Sequence, residues 1–183
     1  TPLNSVIALA GVLNRRLSGK ISDEEFSYIG VIERNGKQLL ELINDILDIS
    51  RIEAGHEEIE ITKFNINNII ADVVNIIYPQ AEQKNIELLN ADSNSNLSVT
   101  SDAGKCQHIL QNLVGNAVKF TEAGKVEIAA LQSGKNITIK ITDTGIGIAE
   151  NHLQHIFDEF RQADGGTARM LGGNALGLAI ARK

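Results

Sequence analysis

The stretch that decides the fold of the second part of the chain reads Cys106-Gln-His-Ile-Leu-Gln-Asn112-Leu-Val-Gly-Asn116-Ala-Val-Lys119-Phe120. Its apolar residues share one face of a helix. Asn112, Asn116 and Lys119 follow one another at intervals of four and three, so they project together from another side of that helix. An amide oxygen is a neutral ligand for a hard cation such as Mg²⁺, and a lysine one turn later can meet a phosphate. A solvated polar helix face is the alternative interpretation.

Outward from this helix, the residues Asp143-Thr-Gly145-Ile-Gly147-Ile148 follow a segment in which apolar and polar residues alternate. That alternation predicts a hairpin of two strands, residues 126–131 and 136–142. A carboxylate at a strand end can accept a hydrogen bond from an exocyclic amine such as that of adenine, and glycines let the backbone pass close to a planar ring. The spacing fits neither a Rossmann fingerprint nor a calcium-binding loop.

Glycine remains frequent as far as a turn that reads Gly172-Gly173-Asn-Ala175-Leu-Gly177-Leu178 and leads into an apolar helix. Free N–H groups at the start of a helix are natural phosphate sites. Phe157 and Phe160 lie between the two glycine-rich stretches. These two Phe side chains either belong to a ligand-binding site formed by those stretches or pack in the core.

The first part of the chain has a different period. Apolar residues recur at alternating intervals of three and four in residues 3–17 and again in residues 29–46, which predicts two helices. Two such helices expose more apolar surface than they can bury against each other, so we expect the hairpin to dimerise into a four-helix bundle. Packing of the hairpin on its own second domain is the alternative. The charged residues 55–63 predict a domain boundary.

Between these parts, residues 67–84 show a helical stripe that contains Pro79, which predicts a kink or the end of that helix. Residues 86–89 and 97–100 are short strand candidates separated by a polar turn.

The composition narrows the class of protein. Hydrophobic residues make up 43% of the 183 residues, which suits a packed core, and the net charge is -6. This charge predicts that nucleic acid is not a partner and that this chain makes no membrane contact. The single cysteine, Cys106, suits a reducing compartment, so we expect a cytoplasmic location, either of a free protein or of the cytoplasmic part of a membrane-anchored one. The opening Thr1-Pro2 without a Met is typical of a fragment.

Taken in order, Asn116, the Asp143 stretch, Phe157 with Phe160, and residues 172–178 resemble the N, G1, F and G2 boxes of the bacterial two-component sensor histidine kinases. Residues 48–55 are similar to the end of that family's dimerisation hairpin, and residues 1–4 to the tail of its H box. The resemblance implies an α+β protein. Residues 1–55 would be a dimerising helical hairpin, and residues 56–183 an α/β sandwich of the Bergerat (GHKL) ATPase type that lacks its C-terminal strands.

The resemblance also implies the roles of single residues. Asn116 would coordinate Mg²⁺, and Asn112 and Lys119 would contact phosphate. Asp143 would accept a hydrogen bond from the adenine amine. Residues 160–173 would form a mobile lid. The remaining members of the ATP site would shape the base pocket or lie at the phosphates: Phe120, Gly145, Gly147, Ile148, Gly173, Gly177 and Leu178.

The sequence departs from the family at three places. The family's H box reads His-Glu-x-Arg-Thr-Pro and the chain begins at its Thr, so the phosphoacceptor His is missing; Thr1 matches a position linked to dephosphorylation of the response regulator. None of the four histidines fits the acceptor position. Ala175 replaces the middle glycine of the G2 box, which would weaken nucleotide binding if that position needs a positive φ. The chain ends at Lys183, before further strands expected from the family.

The function implied is that of an ATP:protein-histidine phosphotransferase, acting as a homodimer through residues 1–55 and passing phosphate to the receiver domain of a response regulator. A nucleotide-binding dimerisation scaffold with impaired catalysis is the alternative. A chaperone or topoisomerase ATPase is disfavoured, because those proteins carry a catalytic Glu on the N-box helix near Gln111 or Asn112, and this helix has neither Glu nor Asp.

Overall fold

The computed structural model describes residues 2–56, 58–91, 96–158 and 177–182. Contacts between Cα atoms divide the chain into two compact units, Thr1–Gly55 and His56–Lys183, here called the hairpin unit and the sheet unit. Within the described residues, none of the helices combines the length and the apolar character needed to cross a membrane.

The hairpin unit consists of α1 (Pro2–Leu17) and α2 (Asp23–Glu53). A capping box begins α2: the Ser22 hydroxyl accepts from the Glu25 N–H, and the Glu25 carboxylate accepts from the Ser22 N–H. This exchange satisfies two N–H groups that a helix start leaves unpaired. The two helices lie close together at Gly36, where an added Cβ would lie 2.8 Å from Cγ1 of Ile7.

Much of the apolar surface of the hairpin unit stays exposed within one copy of the chain. Ala10 and Ile49 are buried. The predicted stripe is therefore only partly covered by the contact of α1 with α2. The uncovered apolar side chains, each at least 40% exposed, include Val6, Leu9, Leu13, Val31, Ile32, Leu39, Ile43, Ile46 and Leu47.

The sheet unit alternates strands and helices, so the mixed α and β class predicted from the sequence is confirmed. Its elements are β1 (Thr62–Asn65), α3 (Ile66–Gln83), β2 (Ile86–Asn90), β3 (Ser98–Ser101), α4 (Ala103–Phe120), β4 (Gly124–Ser133), β5 (Asn136–Asp143), α5 (Glu150–Leu153) and α6 (Gly177–Arg182).

Three strands form a sheet in the order β2-β4-β5. β2 runs parallel to β4, and β5 returns antiparallel to β4, so the predicted hairpin is confirmed. The inward residues of β4 are Val126, Ile128 and Ala130, all buried, and they alternate with more exposed neighbours. β1 and β3 form a separate antiparallel pair.

The core of the sheet unit lies between this sheet and the two long helices α3 and α4. Its most deeply buried side chains are aliphatic, as the scarcity of aromatic residues in the sequence requires. They include Ile66, Ile70, Val73, Val114, Val118, Val126 and Ile128. Each buried aliphatic side chain contributes about 1.5–3 kcal/mol of hydrophobic stabilisation.

The structure decides two points that the sequence left open. The α3 helix does not end at Pro79 but continues to Gln83, so the loss of one N–H donor is tolerated within a helix whose apolar face is buried. The two short strands predicted between α3 and α4 are present as β2 and β3, and they lie in different sheets.

Candidate functional site

The polar face of α4 is the first part of the site. Asp102 caps the start of this helix, and its carboxylate accepts from the Lys105 N–H at 2.9 Å and from the Glu60 N–H at 2.9 Å. These backbone hydrogen bonds, first that of Lys105, hold the pKa of Asp102 below its usual value. The apolar face of α4 is buried in the core, and Asn112 and Asn116 on its polar face are half-buried.

The loop that follows β5 lies against the carboxyl end of α4. Asp143 ends β5, and its Oδ1 accepts from the Gly145 N–H at 2.9 Å. The Ile146 N–H donates to the Phe120 carbonyl at 3.2 Å. A Cβ at position 145 would lie only 2.6 Å from the Phe120 oxygen, so this approach requires glycine. The structure therefore brings together Phe120, Asp143 and Gly145.

Thr144 anchors the same loop on its other side, and the sequence analysis missed it. Its hydroxyl accepts from the Lys125 N–H at 3.0 Å, and its own N–H donates to the Lys125 carbonyl at 3.2 Å. Gly124 has a φ of +112°, and a Cβ there would lie 2.2 Å from the Thr144 hydroxyl. In the sequence, Thr144 beside Asp143 and Gly124 at the start of β4 are the residues from which this contact could have been suspected. Whether they meet depends on the register of β4 and β5, which one sequence does not reveal.

A cleft of about 300 Å³ opens beside this loop. Its lining residues are Glu122, Ala123, Thr144, Gly145 and Ile146. The cleft therefore lies where the end of α4 meets the loop after β5, next to Phe120 and Asp143.

The short helix α6 also packs against α4. A Cβ on Gly177 would lie 3.3 Å from Cγ of Asn112. The Nδ2 of Asn112 is buried and has no hydrogen-bond partner among the described residues. A buried donor of this kind costs about 1–3 kcal/mol unless a ligand or water satisfies it. Leu178 is half-buried on the same short helix, and the Arg182 guanidinium lies 5.7 Å from the Phe157 ring.

The Lys119 ammonium lies 5.1 Å from the centroid of the Phe120 ring, so a cation and an aromatic surface adjoin at the end of α4. Gly147 has a φ of +67°, in the left-handed region where glycine is favoured, and Ile148 is exposed. The remaining predictions, Thr1 and Gly173 together with Phe160 and Ala175, lie outside the described residues.

The residues present fit a hard cation held mainly by phosphate oxygens. Among the described residues, no cluster of three or more His, Cys, Asp or Glu side chains could hold a metal ion. Asn116 offers an amide oxygen, and the unpartnered Nδ2 of Asn112 lies on the same helix face. Mg²⁺ characteristically uses few protein ligands together with substrate phosphates and water, so the single amide oxygen of Asn116 is compatible with it, and the Asn112 Nδ2 could donate to a phosphate oxygen.

Comparison with known proteins matches both units to domain families. Residues 1–55 match the His Kinase A (phospho-acceptor) domain, and residues 101–183 match the histidine kinase-, DNA gyrase B-, and HSP90-like ATPase family. The signal transduction histidine-protein kinase BarA of Escherichia coli (strain K12) is 39% identical over the whole chain, which spans 20% of BarA. The chain thus spans about a fifth of the length of this curated relative.

Solved structures of histidine kinases share the fold. Full-length ShkA in complex with AMPPNP is 35% identical, with a TM-score of 0.76 over 98% of this chain and 37% of ShkA. The catalytic domain of histidine kinase ThkA is 30% identical, with a TM-score of 0.58 over 68% of this chain and 79% of that domain. ThkA in complex with the response regulator protein TrrA is 26% identical, with a TM-score of 0.68 over all of this chain and 51% of ThkA.

The two family models match in the order of the hairpin unit and then the sheet unit. BarA at 39% identity, ShkA at 35% and the ThkA catalytic domain at 30% are all histidine kinases. These matches agree with the polar face of α4 and with the glycine-containing loop that follows β5. This chain belongs to the two-component sensor histidine kinases and comprises their hairpin and ATPase-type core.

Proposed function

We propose that this chain is the core of a sensor histidine kinase that binds Mg-ATP in the sheet unit and transfers the γ-phosphoryl group to a histidine. The observation that carries the proposal is the convergence of two segments at one end of α4. Phe120 and Lys119 end that helix, and the loop from Asp143 to Ile148 is hydrogen-bonded to it through the Phe120 carbonyl.

In this site the base and the phosphates would lie at different parts of α4. Asp143 would accept from the adenine amine, and Phe120, Gly145, Gly147 and Ile148 would surround the ring. Lys119 and Asn112 would contact phosphate oxygens, which would also satisfy the buried Nδ2 of Asn112. Gly177 and Leu178 would close the phosphate side, together with Gly173.

Asn116 would hold Mg²⁺ through its amide oxygen, and the ion would supply charge neutralisation at the phosphates during transfer. The chain's own residues would contribute positioning and electrostatic stabilisation, which are the main protein contributions to phosphoryl transfer. ShkA, solved with AMPPNP, supports this use of the fold.

The acceptor would be the H-box histidine of the parent protein, four positions before the Thr of the H box that Thr1 matches. From there the phosphoryl group would pass to an aspartate of a response regulator receiver domain, and Thr1 would act in the reverse dephosphorylation. The complex of ThkA with TrrA supports a partner of this class. The exposed apolar stripe of the hairpin unit supports homodimerisation through residues 1–55. We place these reactions in the cytoplasm, where ATP is supplied.

Nucleotide binding is tested by calorimetric titration of the 183-residue chain with AMPPNP, with and without Mg²⁺. We expect Mg²⁺-dependent binding that Asp143→Asn weakens by about tenfold or more, because the amide oxygen can still accept from the base amine but lacks the negative charge that strengthens this hydrogen bond. Failure of the wild-type chain to bind under either condition would contradict the proposal and favour a dimerisation scaffold.

Phosphotransfer is tested separately on a protein extended upstream through its H box and incubated with labelled ATP. We expect acid-labile, alkali-stable phosphate that a receiver domain then removes. If nucleotide binds but no such phosphate forms, the chain belongs to the catalytically impaired scaffold instead.

A further inference from the structure

The carboxyl end of α4 is held by a lysine from another element. The Lys84 ammonium donates to the carbonyl oxygens of Val118 at 2.9 Å, Lys119 at 2.6 Å and Thr121 at 3.1 Å. An ammonium group has three donors, and all three are used here. None of these contacts involves a side chain of α4, so they hold the backbone of its last turn.

These contacts complete the pairing of the last carbonyls of α4, which a helix end otherwise leaves unsatisfied. The Ala117 carbonyl accepts from the N–H of Thr121 at 3.1 Å and from its hydroxyl at 2.7 Å. The Phe120 carbonyl accepts from the Ile146 N–H. Lys84 supplies the partners for the remaining two carbonyls, and its positive charge lies at the negative end of the helix dipole.

The turn that carries Lys84 explains how its side chain reaches α4. Lys84 caps the end of α3, where its N–H donates to the Ala81 carbonyl at 3.1 Å. Asn85 then adopts a φ of +54°, and the chain enters β2 at Ile86. Asn tolerates this left-handed conformation better than most residues, so the sharp change of direction between helix and strand is built into the sequence.

We propose that Lys84 is a positioning residue for the nucleotide site, an inference that rests on the proposed function. By holding the last turn of α4, Lys84 sets the places of Lys119 and Phe120, and through the Phe120 carbonyl it sets the loop from Asp143 to Ile148. It acts on ATP through the backbone of α4 and has no contact with the nucleotide itself.

The test compares Lys84→Met, which keeps the length but removes charge and donors, with Lys84→Arg and with Lys63→Met, an exposed lysine on β1. Each variant of the whole chain is titrated with AMPPNP and followed by amide hydrogen exchange without nucleotide. We expect Lys84→Met to weaken binding about tenfold or more, as removal of a supporting group typically does, Lys84→Arg to weaken it less, and Lys63→Met to leave it unchanged.

Hydrogen exchange separates positioning from a general loss of stability. We expect the Ile146 and Thr121 amides of Lys84→Met to exchange faster while the amides of β4 keep the wild-type rate. Equal acceleration at all amides, or unchanged affinity in a folded variant, would overturn the inference. If Lys84→Met does not fold, the same two measurements on Lys84→Arg decide the question. If the wild-type chain fails to bind AMPPNP, the proposed function fails, whereas the exchange pattern still shows whether Lys84 organises the end of α4.

Discussion

At the scale of single residues, Gly145 shows how one missing Cβ creates the site. The backbone oxygen of Phe120 and the Asp143 carboxylate would lie 2.6 Å and 2.9 Å from a Cβ at this position. Neither distance is compatible with an ordinary contact, and the nearer atom belongs to the backbone. The approach of the loop to α4 therefore depends on glycine at 145 rather than on side-chain packing.

We predict that Gly145→Ala displaces the loop, breaks the hydrogen bond from Ile146 to Phe120 and destabilises the sheet unit by about 1–3 kcal/mol. AMPPNP affinity should fall about tenfold or more, as measured by calorimetry. Gly104→Ala is the control, because its Cβ would meet Asp102 Oδ1 at an ordinary 3.4 Å on the first turn of α4. Wild-type affinity in Gly145→Ala would contradict the close approach.

The ionisation of Asp102 makes the stability of the sheet unit depend on pH. Its pKa in the folded chain is lowered from 3.8, mainly by the Lys105 N–H and then by the Glu60 N–H. Stability from this shift is fully present above about pH 3.8, the value for the unfolded chain, and is lost as the pH falls through the lower folded value.

We therefore predict that Asp102→Asn is less stable than wild type at pH 7, and that the difference shrinks as the pH falls below about 4. Asn keeps one acceptor oxygen for the helix cap, but its NH2 group cannot accept from the second N–H, so the variant removes the charge together with one of the two hydrogen bonds, and the pH-dependent part of the difference reports the ionisation. Urea unfolding of both proteins between pH 3 and 7 measures the difference. A gap that is independent of pH would show that the charge is not involved.

At the scale of elements, the close approach of α1 to α2 at Gly36 sets the packing of the hairpin unit. An added Cβ would lie 2.8 Å from Ile7 Cγ1, an atom near the helix backbone that cannot simply swing away. Gly30 lies on the same helix and has nothing within 4 Å of its Cβ position. The two glycines therefore form a matched pair.

We predict that Gly36→Ala destabilises the hairpin unit by about 1 kcal/mol, because overpacking of about 1–3 kcal/mol exceeds a gain of about 1 kcal/mol in helix propensity. Gly30→Ala should instead stabilise it by up to about 1 kcal/mol. Urea unfolding followed by helical circular dichroism, at one protein concentration, measures both. A stabilised Gly36→Ala would show that the helices are not in close contact there.

At the scale of the whole molecule, the apolar side chains left uncovered on the hairpin unit predict self-association. We expect Leu39→Glu, on this stripe, to weaken the proposed dimer about tenfold or more, because a charge in an apolar interface is costly to bury. Gln38→Glu places the same charge on the preceding residue, which is not part of the apolar stripe, and should leave association unchanged. Sedimentation equilibrium measures both, and an unaltered dimer in Leu39→Glu would contradict an interface on this face.

The sequence by itself determined the parts that depend on near neighbours in the chain. Periods of three and four residues predicted the long helices, alternation predicted the hairpin of β4 and β5, and the spacing of Asn112, Asn116 and Lys119 placed them on one helix face. Each of these patterns arises from the geometry of a single element, so one sequence is enough to reveal it. The motif order also indicated the family that the comparisons then showed.

The tertiary structure decided whatever joins residues far apart in the chain. The contacts of Lys84 with the end of α4 span 34 to 37 positions, and those of Thr144 with Lys125 span 19. The continuation of α3 through Pro79 and the separation of β2 from β3 also depend on packing. A local pattern carries no record of such pairs, because they form only when sheet register and helix packing bring the backbones together.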